Sequence, residues 1–163
     1  MTGPAAPAAS PRVRTDVTLL PGLAGRDLGI SGWHPVGAAA VAAFADVTGD
    51  HQWIHLDPHR AAEGPFGAPV AHGLLVLALV PALLAEVVEV TGVRHVINKG
   101  VQGARFLAPV RVGDRVRAWA GVQSARPRPR EHWEVTWEVT VESEAAATAA
   151  LRTTMTYLYR AAA

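Results

Sequence analysis

One long apolar segment constrains the fold more than any other part of the sequence. Residues 73–85 contain no charged side chain, and His72 and Glu86 flank them. The segment is too short to cross a bilayer and is hydrophobic nearly all round, which predicts a core helix enclosed on most of its sides. We expect this helix to cover about residues 70–90, with a kink at Pro81, where one backbone hydrogen bond is lost.

The second half of the chain shows the period-two alternation that is typical of strands. The clearest case is the segment of residues 133–141, where tryptophan and valine alternate with glutamate and threonine. This pattern predicts a strand with one face on the core and the other towards solvent. Further candidate strands cover residues 13–20, 95–107, 115–124 and 150–160.

The part of the chain before the long helix is less regular. A Gly-rich connection covers residues 21–32, an Ala-rich segment at residues 36–47 predicts a short helix, and residues 50–67 are typical of a long structured loop. The RPRPR run at residues 126–130 predicts a loop, because its prolines cannot donate to a sheet ladder. Its arginines then belong to a solvated loop or contact the phosphates of a ligand.

These elements favour an α+β fold in which an antiparallel sheet wraps around a long central apolar helix. We expect a single domain over residues 12–163, preceded by a flexible arm of residues 1–11 that is rich in Pro and Ala. A lone sheet of this kind has free edges, and edge pairing between two copies predicts a homodimer.

Composition excludes several classes of function. A net charge of +1, from 15 basic and 14 acidic residues, offers no excess of positive charge for binding nucleic acid. The chain has no cysteine, which rules out disulfides, thiol nucleophiles and thiolate metal sites. The sequence shows neither a signal-peptide pattern nor a membrane segment, so we expect a cytoplasmic protein.

The residues able to carry chemistry are concentrated in two short segments, DHQWIHLD at residues 50–57 and AHG at residues 71–73. Asp50 and His55 can converge on one water molecule and move protons in both directions near neutral pH. Gly73 opens the long helix, where a backbone N–H favours developing negative charge. This combination indicates addition or elimination next to a carbonyl group.

Several separated motifs together resemble the MaoC-like (R)-specific enoyl-CoA hydratases, which have the hot-dog fold. The sequences DHQWIH at residues 50–55 and GPFGAPVAHG at residues 64–73 are most similar to the branch that includes nodulation protein N. The motifs are Gly49-Asp50, His55, Asp57, Ala71-His72-Gly73, Asn98-Lys99-Gly100, the run RFLAPV at residues 105–110, and Gly113-Asp114.

This resemblance implies syn hydration of a trans-2-enoyl thioester to the (R)-3-hydroxyacyl thioester, or the reverse. Asp50 and His55 would hold and activate the water, and the amide of Gly73 would bind the thioester oxygen. Neither a metal nor a redox cofactor is implied; coenzyme A or phosphopantetheine enters as part of an acyl-CoA or acyl-carrier-protein substrate. The substrate-binding residues expected on this basis are Gln52, Trp53, His72 and Asn98.

Two departures from the family pattern leave alternatives open. Gln52-Trp53 stands where many members have Asn-Pro, and Pro81 stands where some hydratases place a serine. The rivals are a thioesterase, another elimination or cyclisation enzyme of a biosynthetic pathway, and a non-catalytic subunit that binds acyl thioesters.

For some individual residues, a purely structural role is an alternative to a role in catalysis or binding. Asp57 can cap a helical turn that starts at Pro58, and His72 can be a structural hydrogen-bonding group. The spacing of His51, His55 and His59 by four resembles a paired-histidine zinc site, but Pro58 argues against a continuous helix there, so we expect no metal.

Overall fold

The computed structural model describes residues 12–162, so the arm predicted at residues 1–11 lies outside the described residues. In chain order the elements are β1 (Val13–Asp16), a 3₁₀ helix (Val17–Leu23), β2 (Asp27–Ile30), β3 (His34–Pro35), α1 (Ala38–Thr48), α2 (Trp53–Leu56), α3 (Pro58–Ala62), α4 (Gly73–Val87), β4 (Val88–Thr91), β5 (Val93–Phe106), β6 (Arg115–Arg128), β7 (His132–Ser143) and β8 (Ala149–Ala161).

One antiparallel sheet forms the body of the protein, with the strand order β2-β6-β7-β8-β5 and β3 beside β6. A separate parallel pair joins β1 to β4. Helix α4 lies against the inner face of the main sheet, where the cluster of buried apolar side chains is centred. This is the predicted α+β arrangement of a sheet around a central helix. None of the helices in residues 12–162 is long and apolar enough to span a membrane.

The alternation in β7 sets which face of the sheet is buried. Val135, Trp137, Val139 and Val141 are at most 1% exposed and point towards α4, whereas Glu138 on the outer face is exposed. Because successive side chains of a strand point to opposite faces, this pattern also fixes the register of the neighbouring strands against the core.

Helix α4 is less enclosed than predicted. Val80 and Leu83 are fully buried on the side that faces the sheet, but Leu74 is 60% exposed and Ala78 and Pro81 are also exposed. The sheet covers only one side of the helix, which leaves an apolar stripe bare within the described part of the chain. Pro81 lies inside the continuous helix.

Two segments of the first half are more structured than predicted. The strand expected over residues 13–20 ends at Asp16, because the Asp16 carboxylate accepts a hydrogen bond from the Thr18 backbone N–H (3.0 Å) and starts a 3₁₀ helix. The Gly-rich connection contains β2, which pairs with β6.

The expected loop at residues 50–67 contains the two short helices α2 and α3. Asp57 caps α3 by accepting a hydrogen bond from the Arg60 backbone N–H (3.0 Å), with Pro58 as the first helical residue. Asp57 is therefore a helix cap in this structure, which is the structural role that the sequence predicted as an alternative for this residue.

The prediction of a loop over the whole RPRPR run is wrong for its first three residues, because β6 continues to Arg128; Pro129 and Arg130 lie in the turn that follows. Pairing on the β2 side of β6 reaches only Val122, whereas pairing with β7 extends to Arg128. Beyond Val122 this strand is thus a sheet edge within the described residues. A proline that lacks an N–H is tolerated where that side of the strand has no partner strand.

Candidate active site

Asp50 directly follows Gly49, the residue that ends α1. Gly49 ends the helix in the left-handed conformation (φ 75°), and its N–H donates to the Ala45 carbonyl (2.8 Å). This conformation favours glycine, so the helix stops here and the chain turns into the next segment. The Asp50 carboxylate is 42% exposed and remains accessible.

His55 lies on α2 with its ring fixed by the backbone of a neighbouring segment. Its Nδ1 lies 2.7 Å from the carbonyl oxygen of Val70. A carbonyl oxygen only accepts, so Nδ1 carries the proton and, in the neutral ring, Nε2 bears the lone pair. The ring is only 9% exposed, so its position and tautomer are well defined by its surroundings.

His72 lies behind this pair, at the residue that precedes α4. The side chain is 3% exposed, and its Nε2 donates a hydrogen bond to the backbone carbonyl of Asp50 (2.9 Å). Its ring stacks on that of His55, with centroids 3.7 Å apart and planes inclined by 27°, and the ring of Phe44 lies at 5.1 Å.

Asp50, His55 and His72 thus form one cluster, in which each offers a ligand atom within 4.8 Å of the others. The two imidazole planes are stacked, so their in-plane lone pairs do not point at a common position as the ligands of one ion must. His51, from the zinc-like spacing, is instead exposed and hydrogen-bonded through Nε2 to Asp46 Oδ1 (2.9 Å), a contact that raises the pKa of the His51 ring.

Gly73 is the first residue of α4, and its N–H is one of the four that an α-helix leaves without an intrahelical partner. A Cβ atom at Gly73 would lie 2.9 Å from Cδ1 of Phe106, at the end of β5. Both residues border an apolar cavity of about 260 Å³ together with Ile54, Val70 and Val76. The cavity therefore opens beside the start of α4 and the helix that carries His55.

Sequence reasoning assigned no role to Phe106, although it lies in the family-like run at residues 105–110. The ring is 49% exposed and lies directly against Gly73. Nothing in a local pattern connects these two positions, because β5 and α4 meet only in the tertiary structure.

The four residues predicted to bind substrate take different places. Gln52 is exposed just before α2, and His72 is buried behind Asp50. Trp53 packs within its own segment. The Arg60 guanidinium carbon lies 4.5 Å from the centroid of the Trp53 ring, and a Cβ atom at Gly64 would lie 2.9 Å from the ring atoms Cη2 and Cζ3. Asn98 lines a different cavity, of about 430 Å³, whose other residues include Pro81, Leu84, Val96 and Tyr157.

The arginines of the RPRPR run converge on a carboxylate. Arg126 and Arg128 donate to Glu134 Oε1 (2.6 and 2.7 Å), and Lys99 donates to Oε2 (2.5 Å). These three cations lower the pKa of Glu134 to about 2. Because residues two apart in a strand share a face, Arg126 and Arg128 lie on the same side of β6 and form an ion network with Glu134 and Lys99 at the outer face of the sheet.

Known proteins match this chain over most of its length. 3-Hydroxyacyl-thioester dehydratase Z of Mycobacterium tuberculosis is 44% identical over 136 residues, which cover 83% of this chain and 90% of that protein. Nodulation protein N of Rhizobium leguminosarum bv. viciae is 39% identical over 127 residues, which cover 77% of this chain and 79% of that protein.

Solved structures agree with this match. The (R)-hydratase of Aeromonas caviae involved in PHA biosynthesis superposes with a TM-score of 0.64 and 30% sequence identity, covering 77% of this chain and 89% of that one. Residues 19–145 match the family described as the MaoC like domain. With this family match, these relatives and the sheet wrapped on α4, the chain belongs to the MaoC-like domain family and has its hot-dog fold.

Proposed function

We propose that this protein is a hydro-lyase that adds water to a trans-2-enoyl thioester to give the (R)-3-hydroxyacyl thioester, or catalyses the reverse elimination. The observation that carries the proposal is the convergence of Asp50 and His55 with His72, the residue that directly precedes the first turn of α4. The names of its relatives, a 3-hydroxyacyl-thioester dehydratase and an (R)-specific enoyl-CoA hydratase, support the same chemistry.

In the hydration direction, Nε2 of His55 accepts a proton from the water molecule as its oxygen attacks the β-carbon. The hydrogen bond from Nδ1 to Val70 keeps that nitrogen available as the acceptor. The Asp50 carboxylate holds the same water from its other side. The pair then delivers a proton to the α-carbon, so both residues regain their starting state after one cycle.

The backbone N–H of Gly73 donates to the thioester oxygen while negative charge develops on it. The partial positive charge at the start of a fifteen-residue helix strengthens this interaction. The apolar cavity beside Gly73 and Phe106 accommodates part of the acyl group. Coenzyme A or a phosphopantetheine arm enters as part of the substrate, and no further cofactor takes part in the proposed steps.

The homodimer is part of this proposal. Strand β5 pairs only with β8 in the described sheet, so its fourteen residues leave one long edge open. Val96, Ile97 and Val101 on this strand are between 41% and 49% exposed. A long open edge that exposes apolar side chains is a template for pairing with a second copy.

Hydration of crotonyl-CoA tests the proposal directly, because loss of the conjugated enoyl thioester is followed by absorbance. We expect the wild-type protein to consume the substrate and both Asp50→Asn and His55→Ala to lower kcat/KM by at least about 10²-fold. The product is analysed for (R) configuration, and free thiol is measured in parallel to detect a thioesterase.

Asp46→Asn is the matched control, since Asp46 is an exposed carboxylate near the end of α1 whose side chain hydrogen-bonds to His51. This variant should retain the wild-type rate. Equal rates for wild type and Asp50→Asn would remove Asp50 from the mechanism. Release of thiol without hydration would replace the proposal with a thioesterase.

A further inference from the structure

We infer that His72 is a positioning residue for catalysis, which holds Asp50 through one hydrogen bond to its backbone and supports the ring of His55 by stacking. The inference rests on the proposed function, because it assigns His72 a role in that same reaction. It differs from the substrate-binding role predicted from sequence, since His72 contacts the catalytic pair from behind.

The hydrogen bond to Asp50 joins two segments that are far apart in the chain. His72 Nε2 lies 2.9 Å from the Asp50 carbonyl oxygen, while the nearest Asp50 carboxylate oxygen lies at 3.9 Å. The ring therefore binds the backbone and leaves both carboxylate oxygens available for water. Asp50 directly follows the helix end at Gly49, so this bond fixes the residue at the point where its segment leaves α1.

The stack orients His55 from one face. The two ring centroids are 3.7 Å apart, and the half-buried ring of Phe44 lies 5.1 Å from that of His72, so the imidazole of His55 rests on His72 with Phe44 beyond it. His55 is then held in its plane by the Val70 carbonyl and against movement out of its plane by His72. These are independent restraints on the orientation of Nε2.

The burial of His72 argues against direct proton transfer between this residue and the substrate. Nδ1 is buried and has no hydrogen-bond partner among residues 12–162, and the whole side chain is only 3% exposed. A group that carries protons to and from substrate must reach the reacting atoms or a water next to them. His72 meets Asp50 and His55 instead, so it acts through them.

Two substitutions separate the hydrogen bond from the stack. His72→Phe keeps a ring against His55 but removes the donor to Asp50, and His72→Gln keeps a donor of similar reach but removes the ring. If the hydrogen bond positions Asp50, His72→Phe should lower kcat by about 10²-fold with KM changed less than about twofold, since a displacement of about 1 Å costs that much. His72→Gln should restore kcat to within about tenfold of wild type.

The pH profile of kcat/KM distinguishes positioning from proton transfer. We expect both limbs of the profile to keep their midpoints in His72→Gln, because Asp50 and His55 remain. A limb that disappears in this variant would make His72 a proton carrier and overturn the inference. Equal wild-type activity in both variants would overturn it as well.

A readout without substrate separates this inference from the proposed function. Hydrogen exchange of the backbone amides of residues 49–55 should become faster by about fivefold in His72→Phe, because one hydrogen bond to Asp50 is lost. His51→Gln is the control, since His51 lies in the same segment, is exposed and should leave both exchange and kcat unchanged. If wild type hydrates no thioester, the proposed function fails while the exchange result still decides whether His72 holds Asp50; unchanged exchange in His72→Phe refutes the inference.

Discussion

Replacing Gly73 with alanine should separate catalysis from stability. The new methyl group would lie 2.9 to 3.1 Å from three atoms of the Phe106 ring, which must move by about 0.5–1 Å to restore ordinary van der Waals contact. The ring is 49% exposed and can move towards solvent. Alanine is also favoured over glycine in a helix by up to about 1 kcal/mol, so the free energy of unfolding should change by less than about 1 kcal/mol.

The effect on the reaction should be much larger. Phe106 and Gly73 border the same cavity, so the methyl group and the displaced ring crowd the position where the thioester oxygen meets the Gly73 N–H. A misplacement of about 1 Å costs roughly 10²-fold, and we expect kcat/KM for crotonyl-CoA to fall by about that factor. The assay is absorbance of the enoyl thioester, with the unfolding midpoint measured on the same samples.

Gly37→Ala is the matched control, because Gly37 precedes α1 with an ordinary φ of −83° and a Cβ there meets nothing within 4 Å. It should change kcat/KM by less than about twofold, as surface substitutions with no contact do. A double-mutant cycle with Phe106→Ala then measures how much of the loss passes through the ring. Full activity in Gly73→Ala would refute the argument that this amide binds the thioester oxygen.

Three further predictions concern stability and assembly. Glu134→Gln should lower the free energy of unfolding at pH 7 by about 1–2 kcal/mol, allowing for screening at its exposed cations, while Glu138→Gln should not. Because the pKa of Glu134 is lowered from 4.5 to about 2, this contribution is present above pH 4.5 and should vanish as the pH falls to about 2. Denaturant titrations at several pH values measure it. If the free energies of unfolding of wild type and Glu134→Gln do not converge towards pH 2, the prediction is contradicted. Asp57→Ala should cost about 1 kcal/mol through loss of the α3 cap and Asp57→Asn much less, which thermal unfolding measures; equal losses would rule out capping. Val101→Lys, at the open edge of β5, should shift the proposed dimer towards monomer in sedimentation equilibrium, and the same dimer fraction as wild type would contradict pairing at this edge.

Local sequence patterns predicted the helices and strands well where burial of apolar side chains determined the structure. The alternation over residues 133–141 predicted β7 and its buried face, and an apolar run predicted α4. Local patterns failed at the RPRPR run, because the ladder rule for proline applies only where a partner strand needs the missing N–H. Beyond Val122, β6 keeps β7 as a partner on one side, but whether it has a second partner strand depends on where β2 lies, which is not visible in the sequence of β6.

The candidate site divides in the same way. The candidate residues Asp50, His55 and Gly73 could be picked out from the sequence, since each lies at a helix end, in a short helix or at a helix start that local residues determine. The sequence alone also determined the end of α1 at Gly49 and the cap of α3 at Asp57, because both rest on backbone geometry and hydrogen bonds within a few residues.

Only the tertiary structure decided what surrounds those groups. His72 donates to the Asp50 carbonyl although the two residues are 22 positions apart in the chain, and Phe106, at the end of β5, packs against Gly73. Glu134 binds cationic side chains from two other strands. The physical reason is that each of these contacts depends on how the sheet packs on α4 and on which strands are neighbours. A period of two or of 3.6 residues predicts which side of an element is buried, but not which distant side chain it meets there.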